Sequence, residues 1–169
     1  MSVSIAVVYY SLSGNTQYVA ETLAQHLDAR TVPLRERGNR SGFFGFMKSG
    51  FQASLGLASN LEGDPWDAVT SADVLYLATP LWAAKPSPAM NAFVNGGDFA
   101  GTRVYAVTLQ ADPRAAGSEK AHRLLRERLE KRGATVAEMY AVQSAPPGRF
   151  AGRDHLHAQV VKIVGGSVV

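Results

Sequence analysis

Ser11-Leu12-Ser13-Gly14-Asn15-Thr16 joins an apolar run, Val3 to Tyr10, to a stretch with helical periodicity, Thr16 to Leu27. A buried strand that passes through a short glycine-containing loop into a helix is the opening of a parallel α/β unit. The loop is also an anion cradle. Backbone N–H groups at a helix start have no intrahelical partners and sit at the positive end of the macrodipole, so they can hold a phosphate without Lys or Arg. This loop contains neither cation. Ser11, Ser13, Asn15 and Thr16 can add side-chain donors, and Gly14 lets backbone approach a ligand where a Cβ would collide. The pattern lacks the lysine of a nucleoside-triphosphate loop and the glycine spacing of a dinucleotide fingerprint, so a phosphomonoester fits better. The alternative is a polar turn in which Ser13 or Asn15 caps the helix.

Outward from this loop the elements alternate regularly. Ser4 to Tyr10 is a strand apolar on both faces, and Val19, Ala20, Leu23, Ala24 and Leu27 line one face of the helix Thr16 to Leu27. Arg30 to Leu34, Asp73 to Thr79, Thr102 to Leu109 and Ala134 to Val142 read as further strands. Ser87 to Asn95, Ser118 to Arg132 and Arg153 to Val164 read as helices, the first stopped by Gly96-Gly97 and the second by Gly133. Strands separated by helices of this length imply a parallel sheet covered on both faces, a three-layer doubly wound α/β domain spanning residues 1–169.

Composition narrows the chemistry. Of 169 residues, 46% are hydrophobic and 18% charged, which suits a globular domain and leaves no apolar run long enough to span a bilayer. The N-terminal run is short and lacks a basic leader, so it is expected to be a core strand of a cytoplasmic protein. There is no cysteine, which excludes disulfides, thiolate catalysis and iron–sulfur sites; redox work would need an organic cofactor. Seventeen basic against fourteen acidic residues give a formal charge of +3, with no dense basic stripe, so nucleic acid is not expected as a partner. His155 and His157 are two apart on a helix, and His26 and His122 lie alone on polar faces, so no metal site is expected either.

In a doubly wound sheet, ligands bind outside the carboxyl ends of the strands where strand order reverses. Three loops leave those ends: Ser11 to Thr16, then Thr79-Pro80-Leu81-Trp82-Ala83-Ala84-Lys85, then Gln110-Ala111-Asp112-Pro113-Arg114-Ala115-Ala116-Gly117-Ser118. A phosphate cradle beside a loop tryptophan suits a phosphorylated planar aromatic ligand, of which FMN is the obvious candidate.

These residues resemble the flavodoxin-like FMN-binding family over nearly the whole chain. The most specific match is the S/T-x-S/T-G-N-T loop, carried here by Ser11, Ser13, Gly14, Asn15 and Thr16, with Leu12 in the variable place. The resemblance implies a five-stranded sheet of order 2-1-3-4-5, an FMN phosphate held by Ser11 to Thr16, and a second flavin loop at Thr79, Pro80, Leu81, Trp82 and Ala83 with Trp82 stacking. It implies a third loop at Gln110, Ala111, Asp112 and Gly117. Spacing alone indicates a phosphate site; flavin chemistry enters through the resemblance.

Three departures bear on function. The third loop has no aromatic residue, where familiar flavodoxins stack a tyrosine on the second flavin face. The slight positive charge contrasts with strongly acidic electron carriers and implies a different partner. Ala83 and Ala84 stand where a glycine is familiar, and a Cβ makes positive φ costly, which implies weaker stabilisation of half-reduced flavin and an open ring that receives hydride directly. The expected function is FMN-dependent transfer of electrons or hydride from a reduced donor to an acceptor, both unnamed by the sequence. An NAD(P)H-dependent reductase of quinones or similar aromatics, or a flavin-free interaction module on the same fold, are the alternatives. Asp112 could orient a ring edge or close an Asx-turn before Pro113. Phe43, Met47, Phe51 and Leu55 fall at helical spacing in the long Arg35 to Trp66 connection, read as a crossover helix or an apolar lid.

Overall fold

The computed structural model describes residues 3–37 and 59–166. The strands are β1 (Ile5–Tyr9), β2 (Arg30–Pro33), β3 (Val74–Trp82), β4 (Lys85–Pro86), β5 (Arg103–Gln110) and β6 (Thr135–Gln143). The helices are α1 (Asn15–Leu27), α2 (Pro88–Gly96), α3 (Ser118–Lys131) and α4 (Arg153–Gly166). A 3₁₀ turn at Asp67–Val69 precedes β3. The Phe43 to Leu55 stripe lies outside the described residues.

The sheet runs β2-β1-β3-β5-β6, with all neighbours parallel. Counted without the short β4, this is the 2-1-3-4-5 order that the resemblance implied. The pleat separates two cores. Ala6, Val8, Leu75, Leu77, Val104 and Ala106 point to the α2 and α3 face, where Met90, Phe93, Leu125 and Leu129 bury against them. Val7, Tyr9, Tyr76, Ala78, Tyr105 and Val107 point to the α1 and α4 face and meet Val19, Leu23, Leu156 and Val160. Tyr76 and Tyr105 are register partners on β3 and β5, and their rings stack at 4.6 Å and 7° on that face.

One expected loop is not a loop. β3 runs past Thr79 through Pro80 and Leu81 to Trp82, then turns at Ala83-Ala84 into β4, which pairs antiparallel through Leu81↔Pro86 and Trp82↔Lys85. Pro80 is compatible with this extension because its fixed φ suits extended backbone and the missing N–H falls at the strand end. The extension is short enough to look like a loop in sequence, yet it places Trp82 on a β-hairpin. The turn also corrects the expectation for its alanines: Ala83 has φ 49° and Ala84 φ 58°, so both adopt the left-handed region that their Cβ atoms disfavour. A two-residue hairpin needs positive φ at both central residues when it matches the strand twist, and the strand pairing imposes that demand here.

Candidate functional site

The carboxyl ends of β1 and β3 diverge because the chain leaves β1 for β2 on one side and β3 for β5 on the other. The crevice between them is a cleft partly open to solvent. Ser11, Leu12, Ser13, Asn15 and Thr16 line one wall; Pro80, Leu81 and Trp82 line another; Leu109, Gln110 and Ala111 form the floor toward β5. The three strand-end segments therefore converge on one cleft. Gly14, Thr79, Ala83, Asp112 and Gly117 do not line it.

Each of those five has a position with a physical reason. Gly14 is the residue before α1, at φ 85°, and a Cβ there would meet nothing closer than Phe150 Cδ2 at 3.9 Å. Within the protein its requirement is the left-handed backbone, and no neighbouring side chain crowds the position. Thr79 is fully buried beneath the cleft; its hydroxyl donates to Ser87 Oγ at 3.0 Å and accepts from Ser87 N at 3.2 Å, while Ser87 Oγ caps α2 by accepting from Met90 N. Ala83 lies at the hairpin tip. Asp112 Oδ1 accepts from Arg114 N at 2.9 Å, the Asx-turn alternative, with the Arg114 guanidinium 3.7 Å away. The Arg114 N–H first, and then the Ala116 N–H and the Arg114 charge, hold its carboxyl below the usual range. Gly117 packs under Ala84, and a Cβ on it would come within 2.9 Å of the Ala84 Cβ.

The cradle has the features of an anion site. No side chain caps the N-terminus of α1, and the first helical bond is Tyr18 N to Gly14 O at 3.0 Å, which leaves the preceding N–H groups without intrahelical acceptors. Ser11 Oγ is shut from solvent with no hydrogen-bond partner among the described residues. A buried hydroxyl without a partner is costly, and a phosphate oxygen would satisfy it. Asn15 departs from expectation. Its Nδ2 donates to Arg149 O at 2.7 Å and to Ser13 Oγ at 3.1 Å, and its Oδ1 accepts from Ala151 N at 2.8 Å.

Across the cleft, Trp82 meets the Tyr10 ring edge to face, with centroids 6.0 Å apart at 84°. Tyr10 is buried and donates its hydroxyl to Glu36 Oε2 at 3.3 Å. Burial, and then the Glu36 charge and hydrogen bond, push that phenol above its ordinary value, so it stays a proton donor. The other tryptophan is structural: Trp66 Nε1 donates to Phe93 O at 2.8 Å and its ring stacks on Phe93 at 3°.

A fourth segment was not expected at the cleft. Ser144, Ala145 and Pro147, just after β6, complete its lining. Pro146-Pro147-Gly148-Arg149 forms a turn closed by Arg149 N to Pro146 O at 3.0 Å, with Gly148 at φ 82°, the geometry of a type II turn with Pro then Gly at its centre. That dipeptide at a strand's carboxyl end was the available signal. The histidines also differ from the isolated placements expected: His26 faces His157 at 5.7 Å between centroids, and His122 Nε2 lies 2.7 Å from the buried Thr108 Oγ1. Among the described residues no group of three or more His, Cys, Asp or Glu is placed to hold a metal, and no helix is long and apolar enough to cross a membrane.

No protein-family model matches the chain, and no curated protein matches it in sequence. Solved structures do match. A protein of Bacteroides eggerthii assigned as a flavoprotein superposes with a TM-score of 0.75 at 13% identity over 99% of both chains. A Lactobacillus acidophilus flavoprotein in complex with FMN gives 0.65 at 14% identity, covering 83% of this chain and 93% of the other. The two-electron reduced flavodoxin of Megasphaera elsdenii gives 0.57 at 18% identity, covering 94% and 98%. The chain has a flavodoxin-like fold.

Proposed function

We propose that this protein binds FMN in the cleft between the β1 and β3 ends and passes electrons or hydride from a reduced donor to an acceptor, as a cytoplasmic redox protein. The observation that carries the reading is the pairing, in one cleft, of an uncapped helix start holding the partnerless Ser11 Oγ with the hairpin-mounted Trp82. The first suits a phosphomonoester and the second an aromatic ring; FMN has both. The FMN complex of the Lactobacillus acidophilus neighbour supports the choice of ligand. The bound flavin would supply the redox chemistry. The chain's residues would hold the phosphate through the Ser11 to Thr16 backbone and the Ser11 and Ser13 hydroxyls, and would fix the ring against Trp82.

The absorbance spectrum of the pure protein, before and after FMN is added, tests cofactor and class together. A flavin band that stays with the protein is expected, with FMN bound more tightly than riboflavin because only FMN carries the dianion that the cradle serves. Gly14→Asp, which strains φ and adds a negative charge, should abolish FMN binding. Protein that stays colourless with added FMN would favour a flavin-free interaction module.

A second reading is favoured by the floor toward β5. Leu109, Gln110 and Ala111 put no ring there, so one flavin face would lack an aromatic cover from this loop and be open to a nicotinamide. Steady-state oxidation of NAD(P)H with a quinone acceptor is the measurement. Turnover would mark a reductase, and its absence with retained flavin would mark an electron carrier.

A further inference from the structure

The geometry points to the 144–150 loop as a fourth wall of the cofactor cleft, with the side chain of Asn15 positioning that loop and not binding the phosphate. The inference rests on the FMN reading. Asparagine has two N–H donors. Both are spent inside the protein, on Arg149 O at 2.7 Å and Ser13 Oγ at 3.1 Å, so the Asn15 side chain has no donor left for an anion. Its orientation is fixed by chemistry, since a flipped amide would set oxygen against the Arg149 carbonyl and N–H against the Ala151 N–H. Asn15 is nearly fully buried, so water competes little for these bonds.

The other end of the loop is held the same way. Gln159 on α4 accepts from Gln143 N through Oε1 and donates to Gln143 O through Nε2, each at 2.8 Å. Ser144 N donates to Gln110 O at 2.8 Å, which ties the loop's first residue to β5. Two carboxamides, each bridging a backbone donor and a backbone acceptor, thus hold a segment whose middle lines the cleft. That middle suits the uncharged body of a ligand. Pro146 and Pro147 have no N–H, the Ser144 N–H is already used, and Ala145 and Pro147 present apolar surface.

The test compares FMN and riboflavin, because riboflavin lacks only the phosphate. Affinities of the full chain for both flavins are measured for wild type, Asn15→Ala and Gln159→Ala. Asn15→Ala is expected to weaken both flavins by the same factor, on the order of tenfold, leaving the FMN-to-riboflavin ratio at its wild-type value. Gln159→Ala, at the far end of the loop from the cradle, is expected to show the same pattern more weakly. Loss of FMN affinity alone in Asn15→Ala would make Asn15 a phosphate ligand and overturn the proposal. Unchanged affinity for both flavins in either variant would overturn the fourth wall. Should Asn15→Ala fail to fold, Gln159→Ala decides the fourth wall and Asn15→Ser, scored by the same FMN-to-riboflavin ratio, decides the role of the Asn15 side chain. Wild type that binds neither flavin would fail the functional reading, and this proposal with it.

Discussion

Ala84 occupies the space that a side chain on Gly117 would need: a Cβ on Gly117 would stand 2.9 Å from the Ala84 Cβ and 3.2 Å from its Cα. The hairpin carrying Trp82 therefore seats directly on the loop that leads into α3. Gly117→Ala should overpack this contact and cost about 1–3 kcal/mol in denaturant unfolding. Adding Ala84→Gly to that variant should recover most of the loss, the non-additivity expected of two residues in contact. Strictly additive losses would mean that the hairpin simply swings away.

Ala83 sits in a conformation its side chain disfavours, at φ 49°. The left-handed region costs an L-residue about 1–2 kcal/mol, while glycine gives back about 0.5–1 kcal/mol through its looser unfolded chain. Ala83→Gly is thus expected to raise the urea midpoint, by about 0.5–1 kcal/mol of stability at unchanged slope. A lowered midpoint would show that the turn relaxes out of the left-handed region in solution.

Trp82 and Trp66 should respond oppositely. If FMN stacks on Trp82, binding quenches its fluorescence, and Trp82→Ala loses about 1–3 kcal/mol of affinity, by analogy with bases on aromatic side chains. Trp66, hydrogen-bonded to Phe93 O on the far side of α2, should be a stability residue: Trp66→Phe lowers the melting temperature and leaves the FMN affinity of the folded protein alone. Equal affinity losses in the two variants would place the flavin elsewhere.

His122 sets a pH dependence. Burial chiefly, and the Arg126 charge secondarily, depress its pKa below the ordinary 6.5. Between the folded value and 6.5 the unfolded chain binds a proton that the folded chain refuses, so His122 contributes its full stability above 6.5 and loses it as pH falls through the folded value. Melting temperature should therefore drop as pH falls from 6.5 to the folded value, and less steeply in His122→Gln. Parallel curves for the two proteins would remove His122 as the cause.

The layers were legible because apolar runs such as Ile5 to Val8 and Val74 to Ala78, separated by helical stretches, suit a parallel sheet covered on both faces; the strand order came from the resemblance to flavodoxin-like proteins and not from the residues themselves. The cleft was legible at Ser11 to Thr16 and Trp82 because such a sheet takes ligands outside the carboxyl ends of its strands. What escaped depended on tertiary contacts. Thr79, read as the end of a strand and counted by resemblance with the second flavin loop, lies within β3, its hydroxyl bonded to Ser87. The donors of Asn15 were counted as free because nothing nearby in sequence announces Arg149 and Ala151 as their partners. The left-handed alanines ran against local propensity, and only the Leu81↔Pro86 and Trp82↔Lys85 pairing imposes them. The Pro147-Gly148 turn could have been found by extending the strand-end argument to the last strand.

The hydrogen bonds from Asn15 to Arg149 and Ala151 span 134 and 136 positions of chain. During synthesis the cradle would emerge early, while the backbone that holds it arrives only after the five strands β2 to β6 and the helices α2 and α3. Until then the Asn15 amide is left to water, and so long a loop closes late in folding. Whatever ligand the cleft selects would bind the finished chain over the nascent one, and by mass action would draw the folding equilibrium toward completion of the last crossover.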